Sequence, residues 1–298
     1  MPGLSLSTPR SDPIQGAPGR TDASEVRRKL GSLAKRPPQV MVRISGGGKG
    51  IRHIKAHLDY ISRNGQIPLE DQNGDKLAGK EDLLSLRDEW QLGGFAMDES
   101  ATSRQAFNII LSMPAGTSEV AVARAVRDFA SAEFFNYQYV MALHTPETDP
   151  DDDPSPNPHV HLCVKATSLD GTRLNPRKAD LRRWREEFAR SLREHGVECE
   201  ATQRLHRLQP TRGEKQSVRH KKKRGEPFDR KGTGGPGTLR AEKARQAESQ
   251  VLSGYRELAS LLASSERADD RQLALDVVAS LAVARKGMPR DPDHPHDR

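Results

Sequence analysis

Four short apolar segments limit what this chain can fold into. "QVMVRIS" (39–45), "QAFNIILSM" (105–113), "QYVMALH" (138–144) and "HVHLCVK" (159–165) are each too short for a core helix and read as strands. Val40, Val42 and Ile44 alternate in the first, and the run Gly46–Gly48 ends it; Pro114 ends the second. Helix-period stretches lie between them. "IRHIKAHLDYISR" (51–63) carries the stripe Ile51, Ile54, Leu58 and Ile61, and Asn64-Gly65 stops it. A short helix is expected at 81–90, and a longer one at 117–134 with a Thr or Ser cap. Another is expected at 181–196, with Leu181, Trp184, Phe188 and Leu192 inward. Asn73-Gly74 marks a hairpin within 67–79. The expected fold class is α/β, of the α+β kind: a central antiparallel sheet with flanking helices.

Composition argues for one such core. Of 298 residues, 34% are hydrophobic, 4% aromatic and 30% charged, which suits a single core of roughly 160–170 residues. Residues 1–38 are rich in Pro, Gly and Ser and are expected to be disordered. Residues 39–204 form the sheet-bearing domain, 205–239 a basic linker, 240–285 a helical segment and 286–298 a disordered tail. The helical segment reads as two Ala-rich helices, 240–263 and 267–285. Between Arg204 and Arg245 there are 14 Lys/Arg against 4 Asp/Glu, a local excess larger than the whole-chain charge of +7. That balance favours an acidic partner, nucleic acid first. Two cysteines, Cys163 and Cys199, are too few for a disulfide framework and fit a reducing cytoplasm. No apolar run suits a membrane span, and the N-terminus lacks the apolar stretch of a secretory signal, so neither is expected.

Strand periodicity puts His159 and His161 on one face, with Val160, Leu162 and Val164 on the other. A lone His-x-His is common on a solvated sheet. His144, however, ends the preceding strand. If 138–144 and 159–165 pair as an antiparallel hairpin, three imidazoles converge at one end of the sheet, leaving coordination positions open as catalytic metal sites do. Cys163 shares that face as a potential fourth ligand, but lies deeper and reads as a small buried residue. The second pair, His294 and His296, sits among prolines and reads as solvated tail. On the 51–63 helix, Tyr60 falls about 100° or more from the apolar stripe at 100° per residue. His57 lies one turn away on the same side, and Arg52, Lys55 and Arg63 spread over the exposed surface. An unburied tyrosine among cations suits a phosphodiester, as stacking partner or nucleophile. "SGGGKG" (45–50) fits no phosphate-loop pattern and supports only a flexible turn that brings backbone near a ligand.

A tyrosine on an early helix, a strand ending in histidine, then His-x-His on the next strand resembles the HUH-type conjugative relaxases, and within them the VirD2-like mobilization nucleases. "HIKAHLDYISRNG" looks like their nucleophile motif, and "AFNIILSMPAGT" like their strand-and-turn motif. "VMALH…NPHVHLCVKA" looks like their three-histidine motif, and "LNPRKADLRRWREEFARSLREHGVECEAT" like the segment closing the domain. The likeness spans about residues 40–204. It departs in one place: fourteen residues separate His144 from His159, and "PETDPDDDPSP" looks inserted. The carboxylate that would support the site is therefore open among Asp149, Asp151, Asp152 and Asp153, or none of them.

The resemblance implies site-specific nicking and religation at a transfer origin. Tyr60 would form a 5′-phosphotyrosine and leave a free 3′-OH, with a divalent ion at His144, His159 and His161. Three imidazoles suit zinc or manganese, and the family implies magnesium or manganese. His57 is the candidate general base, and Arg52, Lys55 and Arg63 are the candidate DNA contacts. Implied partners are single-stranded DNA, other relaxosome proteins and a type IV secretion coupling protein, in a bacterial cytoplasm with export alongside the DNA. The rival readings are a rolling-circle replication initiator with the same chemistry and a non-catalytic basic DNA-binding accessory protein.

Overall fold

The computed structural model describes residues 23–35, 37–93, 102–150, 154–202, 204–207, 224–226 and 239–286. In chain order the elements are α1 (Ala23–Lys35), β1 (Met41–Gly46), α2 (Ile51–Ile61), β2 (Leu69–Asp71), β3 (Lys76–Leu77), α3 (Gly79–Leu92), β4 (Ala106–Ser112), α4 (Glu119–Glu133), β5 (Tyr139–His144), β6 (His159–Lys165), α5 (Lys178–Glu194), α6 (Leu239–Ala263) and α7 (Ala268–Lys286). They fall into two compact units, residues 36–203 and residues 1–35 with 204–298.

The first unit holds a six-stranded sheet in the order β1-β4-β6-β5-β2-β3, every neighbouring pair antiparallel. The α/β class expected from the sequence is therefore the one observed. Its two faces are covered differently. Val42, Phe107, Ile109, Leu111, Val160, Leu162 and Val164 pack against α4 and α5, whose Phe129, Trp184 and Phe188 are each 2% exposed or less. On the other face, Ala106, Val140, Ala142 and Cys163 receive Ile54, Leu58 and Ile61 of α2 and Leu83, Leu86 and Trp90 of α3. The small strand residues on this second face let α2 lie close to the sheet, and α2 carries Tyr60. At the far edge, Arg127 of α4 and Lys76 of β3 both pair with buried Glu70 of β2. Burial alone would raise the Glu70 pKa, but these two cations outweigh it and the net shift is downward.

The glycine run plays a packing part rather than an open one. A side chain on Gly47 would sit 2.5 Å from the Ala106 carbonyl oxygen, and one on Gly48 would sit 2.5 Å from Ile54 Cγ1. The Gly48 carbonyl accepts from the Gln105 amide at 2.6 Å, so the loop serves to seat α2 against the start of β4.

In the second unit, Leu30 of α1, Ala259 of α6, and Val277 and Leu281 of α7 form a small core. Arg27 grips Asp270 with two hydrogen bonds, at 2.7 and 3.0 Å. This corrects the expectation of disorder through residue 38, because α1 occupies 23–35. Val26, Leu30 and Leu33 recur at helix spacing and find apolar partners on α6 and α7. Residues 1–22, nearly all of the basic linker and the 287–298 tail lie outside the described residues, His294 and His296 among them.

Candidate metal and nucleophile site

Strand register builds the histidine cluster. β5 and β6 pair so that His144 stands directly opposite His159, and Ala142 opposite His161. All three rings emerge on the α2/α3 face, with centroids 5.2 Å (His144–His159), 4.7 Å (His144–His161) and 5.1 Å (His159–His161) apart. One ring nitrogen from each lies within 4.8 Å of the others.

The surroundings of each ring test whether a cation fits. His159 donates through Nδ1 to the Asn157 carbonyl at 2.9 Å, which leaves Nε2 with its lone pair. His161 is 5% exposed, and its Nδ1 is buried without a hydrogen-bond partner. Burial first, then the neighbouring His144, His159, His57 and Arg63, push its pKa down to about 2, so the ring stays neutral as a ligand must. His159 is shifted the same way, chiefly by burial. His144 is fully buried, with Nδ1 3.0 Å from Asp149 Oδ2 and Nε2 2.7 Å from the Ile61 carbonyl oxygen. A neutral imidazole donates to one acceptor only, so a cation would take the place of one of these two contacts. Three clustered imidazoles, one with an orphaned nitrogen and one backed by a carboxylate, are a donor set that fits a divalent transition metal. Cys163 does not join them. Its thiol hydrogen-bonds Asn108 Oδ1 at 3.6 Å, and burial pushes its pKa up to about 12.

Among the four open carboxylates, the structure places Asp149 at the site; Asp151, Asp152 and Asp153 lie outside the described residues. The loop after β5 begins as a tight turn rather than an extended segment. Asp149 N–H donates to the Thr145 carbonyl at 3.0 Å, and Thr148 N–H to Thr145 Oγ1 at 3.1 Å. A threonine cap followed by proline is a turn-starting signal that "HTPET" carries in plain view.

Tyr60 reaches the cluster from α2. It is 53% exposed, and its ring stands edge-on to His161 with centroids 5.7 Å apart. His57 lies 6.3 Å from both the Tyr60 and His161 rings, its Nε2 buried without a partner. Burial lowers the His57 pKa to about 4, which makes it a weak base. Arg63 lies against the ring of Tyr60, with Cζ 4.9 Å from the centroid, and its Nε and Nη2 donate to Asp149 at 2.7 and 2.8 Å. Its expected place as an open DNA contact is thus taken by a two-pronged internal ion pair. Arg52 and Lys55 are exposed, and Lys55 lines a groove between α2 and α3 with Lys80 and Arg87, turned away from Tyr60. The other tyrosines of this unit, Tyr137 and Tyr139, pack with the α4/α5 core on the opposite face.

An exposed tyrosine thus stands beside three clustered histidines on one face of the sheet. Comparisons with known proteins show what this arrangement is similar to. Residues 72–197 match the relaxase family described as MobA/VirD2-like, nuclease domain. That segment, which holds all three histidines and Asp149, is similar to the nuclease domain of VirD2-like relaxases. The family match begins after α2 and so does not include Tyr60. Among curated proteins, the chain is 30% identical over 189 residues to the T-DNA border endonuclease VirD2 of Rhizobium radiobacter, covering 57% of this chain and 43% of that protein. It is 31% identical over 127 residues to the VirD2 of Agrobacterium fabrum, covering 38% and 28% of the two chains. The chain spans less than half the length of these relatives. Among the described residues, no helix is long and apolar enough to cross a membrane.

Proposed function

We propose that the chain nicks and rejoins one DNA strand at a transfer origin, through a covalent bond between that strand and Tyr60. The observation that carries this is the exposed Tyr60 ring 5.7 Å from His161, at the rim of a three-imidazole donor set. A domain that only bound DNA would have no need to gather three histidine rings around a common point.

In the step itself, Tyr60 Oη bonds to phosphorus and the bond from phosphorus to the 3′ oxygen breaks. The 3′ oxygen takes up a proton and leaves as a hydroxyl, while the phenol gives up its own. Reversal rejoins the strand. A free phenol holds its proton to about pH 10, and each pKa unit of mismatch costs about 1.4 kcal/mol. His57, at about 4, is therefore a poor acceptor for that proton, and we assign it to shaping the pocket beside the nucleophile. His144, His159 and His161 would hold the divalent ion, whose Lewis acidity offsets the charge of the phosphodiester. Manganese satisfies both the nitrogen donor set and the family's habit. We assign the exposed Arg52 to phosphate contacts along α2, and Lys55 to phosphates farther from Tyr60. In the cell, this reading makes single-stranded origin DNA the substrate, relaxosome proteins and a secretion coupling protein the partners, and export with the DNA the outcome.

The test uses the full chain, labelled single-stranded origin DNA and manganese. A covalent protein–DNA product is expected, removed by chelation and by replacing His159 and His161 together with Ala. Cleavage that persists without those rings would sink the metal-site assignment.

A further inference from the structure

We propose that Arg63 is a positioning residue that ties the nucleophile helix to the metal ligand His144 through Asp149. This rests on the reading of the site given above, and it adds a connection between its two halves.

Arg63 directly follows Ser62, the residue that caps the C-terminus of α2, three positions after Tyr60. Its backbone is left-handed, with φ of 49°, and Asn64 follows at 57° and Gly65 at 87°. Two consecutive non-glycine residues in that region are uncommon and persist only where the surroundings hold them. Here the hold is visible. Arg63 Nε and Nη2 clamp both oxygens of Asp149, a residue 86 positions away and 8% exposed. Asp149 Oδ2 also faces His144 Nδ1 at 3.0 Å, so one carboxylate oxygen serves the guanidinium and the imidazole together. The same guanidinium lies 4.9 Å from the centre of the Tyr60 ring. A second tie runs beside it, from His144 Nε2 to the carbonyl of Ile61, the last residue of α2.

One planar cation thus touches the nucleophile's ring and, through one carboxylate, fixes the orientation of a ligand imidazole. A lysine keeps the charge but cannot make the two-pronged contact. Removing a carboxylate or its support behind a ligand histidine typically weakens metal binding about 10- to 100-fold.

The experiment measures manganese affinity calorimetrically on the DNA-free full chain. The variants are Arg63→Ala, Arg63→Lys, Asp149→Asn and the Arg63→Ala/Asp149→Asn pair, each checked for fold by circular dichroism. Arg63→Ala and Arg63→Lys should each lower manganese affinity about tenfold or more, through the loosened Asp149. The double variant should bind no worse than about twofold below Asp149→Asn, because both changes cut one path. Arg63→Lys keeps the test alive if the alanine variant misfolds. If wild type binds manganese and both Arg63 variants match it within about twofold, Arg63 is a surface cation and the proposal is overturned. If wild type itself binds no manganese, the metal-site reading falls and the proposal falls with it.

Discussion

The two units of the molecule differ in how much they bury, two large apolar clusters against one small one among the described residues. In the sheet unit, polar groups are buried and nearly every one is met. Glu70 has Arg127 and Lys76, Asp149 has Arg63 and His144, and Trp184 Nε1 donates to Glu133 at 2.6 Å. Among the described residues, the two buried side-chain nitrogens left without partners, on His57 and His161, are both at the proposed site. The helical unit buries much less, with Asp270 held by Arg27 and Ser265. Its buried apolar core is Leu30, Ala259, Val277 and Leu281, while Leu261, Leu275, Val278 and Val283 are all more than half exposed. A site that must hold ring nitrogens to within tenths of an ångström needs the first kind of packing. A few small or aliphatic residues suffice for the second.

The largest expected effect lies in the sheet unit. Replacing His159 and His161 with Ala should lower metal-dependent cleavage by about 10² or more, with little change in the helical unit. Next comes packing. Trp184 is 1% exposed and packs edge-to-face on Phe134 with centroids 5.4 Å apart, so Trp184→Ala should cost about 3–5 kcal/mol in denaturant unfolding. Leu30→Ala should cost about 2 kcal/mol, near the low end for leucine because so small a core collapses readily. The chain's two tryptophans, Trp90 and Trp184, both lie in the sheet unit, so their fluorescence follows that unit selectively. Leu30→Ala should shift helix melting and leave the tryptophan transition in place; a joint shift would merge the two units into one.

Acid should separate the units more gently. His57 is held neutral by burial, with a folded pKa of about 4 against 6.5 for the free group. The unfolded chain therefore takes up its proton first. Stability of the metal-free sheet unit should fall as pH drops below 6.5, through His57 down to about 4 and through His161 on towards 2. Asp270 is shifted by Arg27 first and Ser265 second, from 3.8 to about 2. Its contribution is complete above 3.8 and lost as pH falls towards 2. Tryptophan fluorescence should thus respond to acid before the helix signal does, and Asp270→Asn should remove the later loss.

The same contrast explains what could be read without coordinates. His159 and His161 were legible from a period of two, His144 from its place at a strand end, and Tyr60 from its absence from the apolar stripe of α2. Each depends on local periodicity. Helix α1 was hidden because Val26, Leu30 and Leu33 sit within a stretch whose Pro, Gly and Ser content resembles a disordered arm. Asp149 could not be chosen from its neighbours, since no periodicity governs a loop. The internal pairing of Arg63 was hidden for a related reason. Its charge predicts attraction to phosphate, but nothing local shows a carboxylate 86 residues away. Long-range polar pairing is what the sequence hides.

The central claim, that Tyr60 is the nucleophile served by the histidine cluster, is tested most directly by mapping a covalent adduct. Full chain, single-stranded origin DNA and manganese would be combined, and the DNA-bearing peptide identified by mass spectrometry. The account predicts a phosphotyrosine at Tyr60, and an adduct at least about 10³-fold weaker in Tyr60→Phe with DNA binding retained. An undiminished adduct in Tyr60→Phe, or one mapped to Tyr137 or Tyr139, would contradict it.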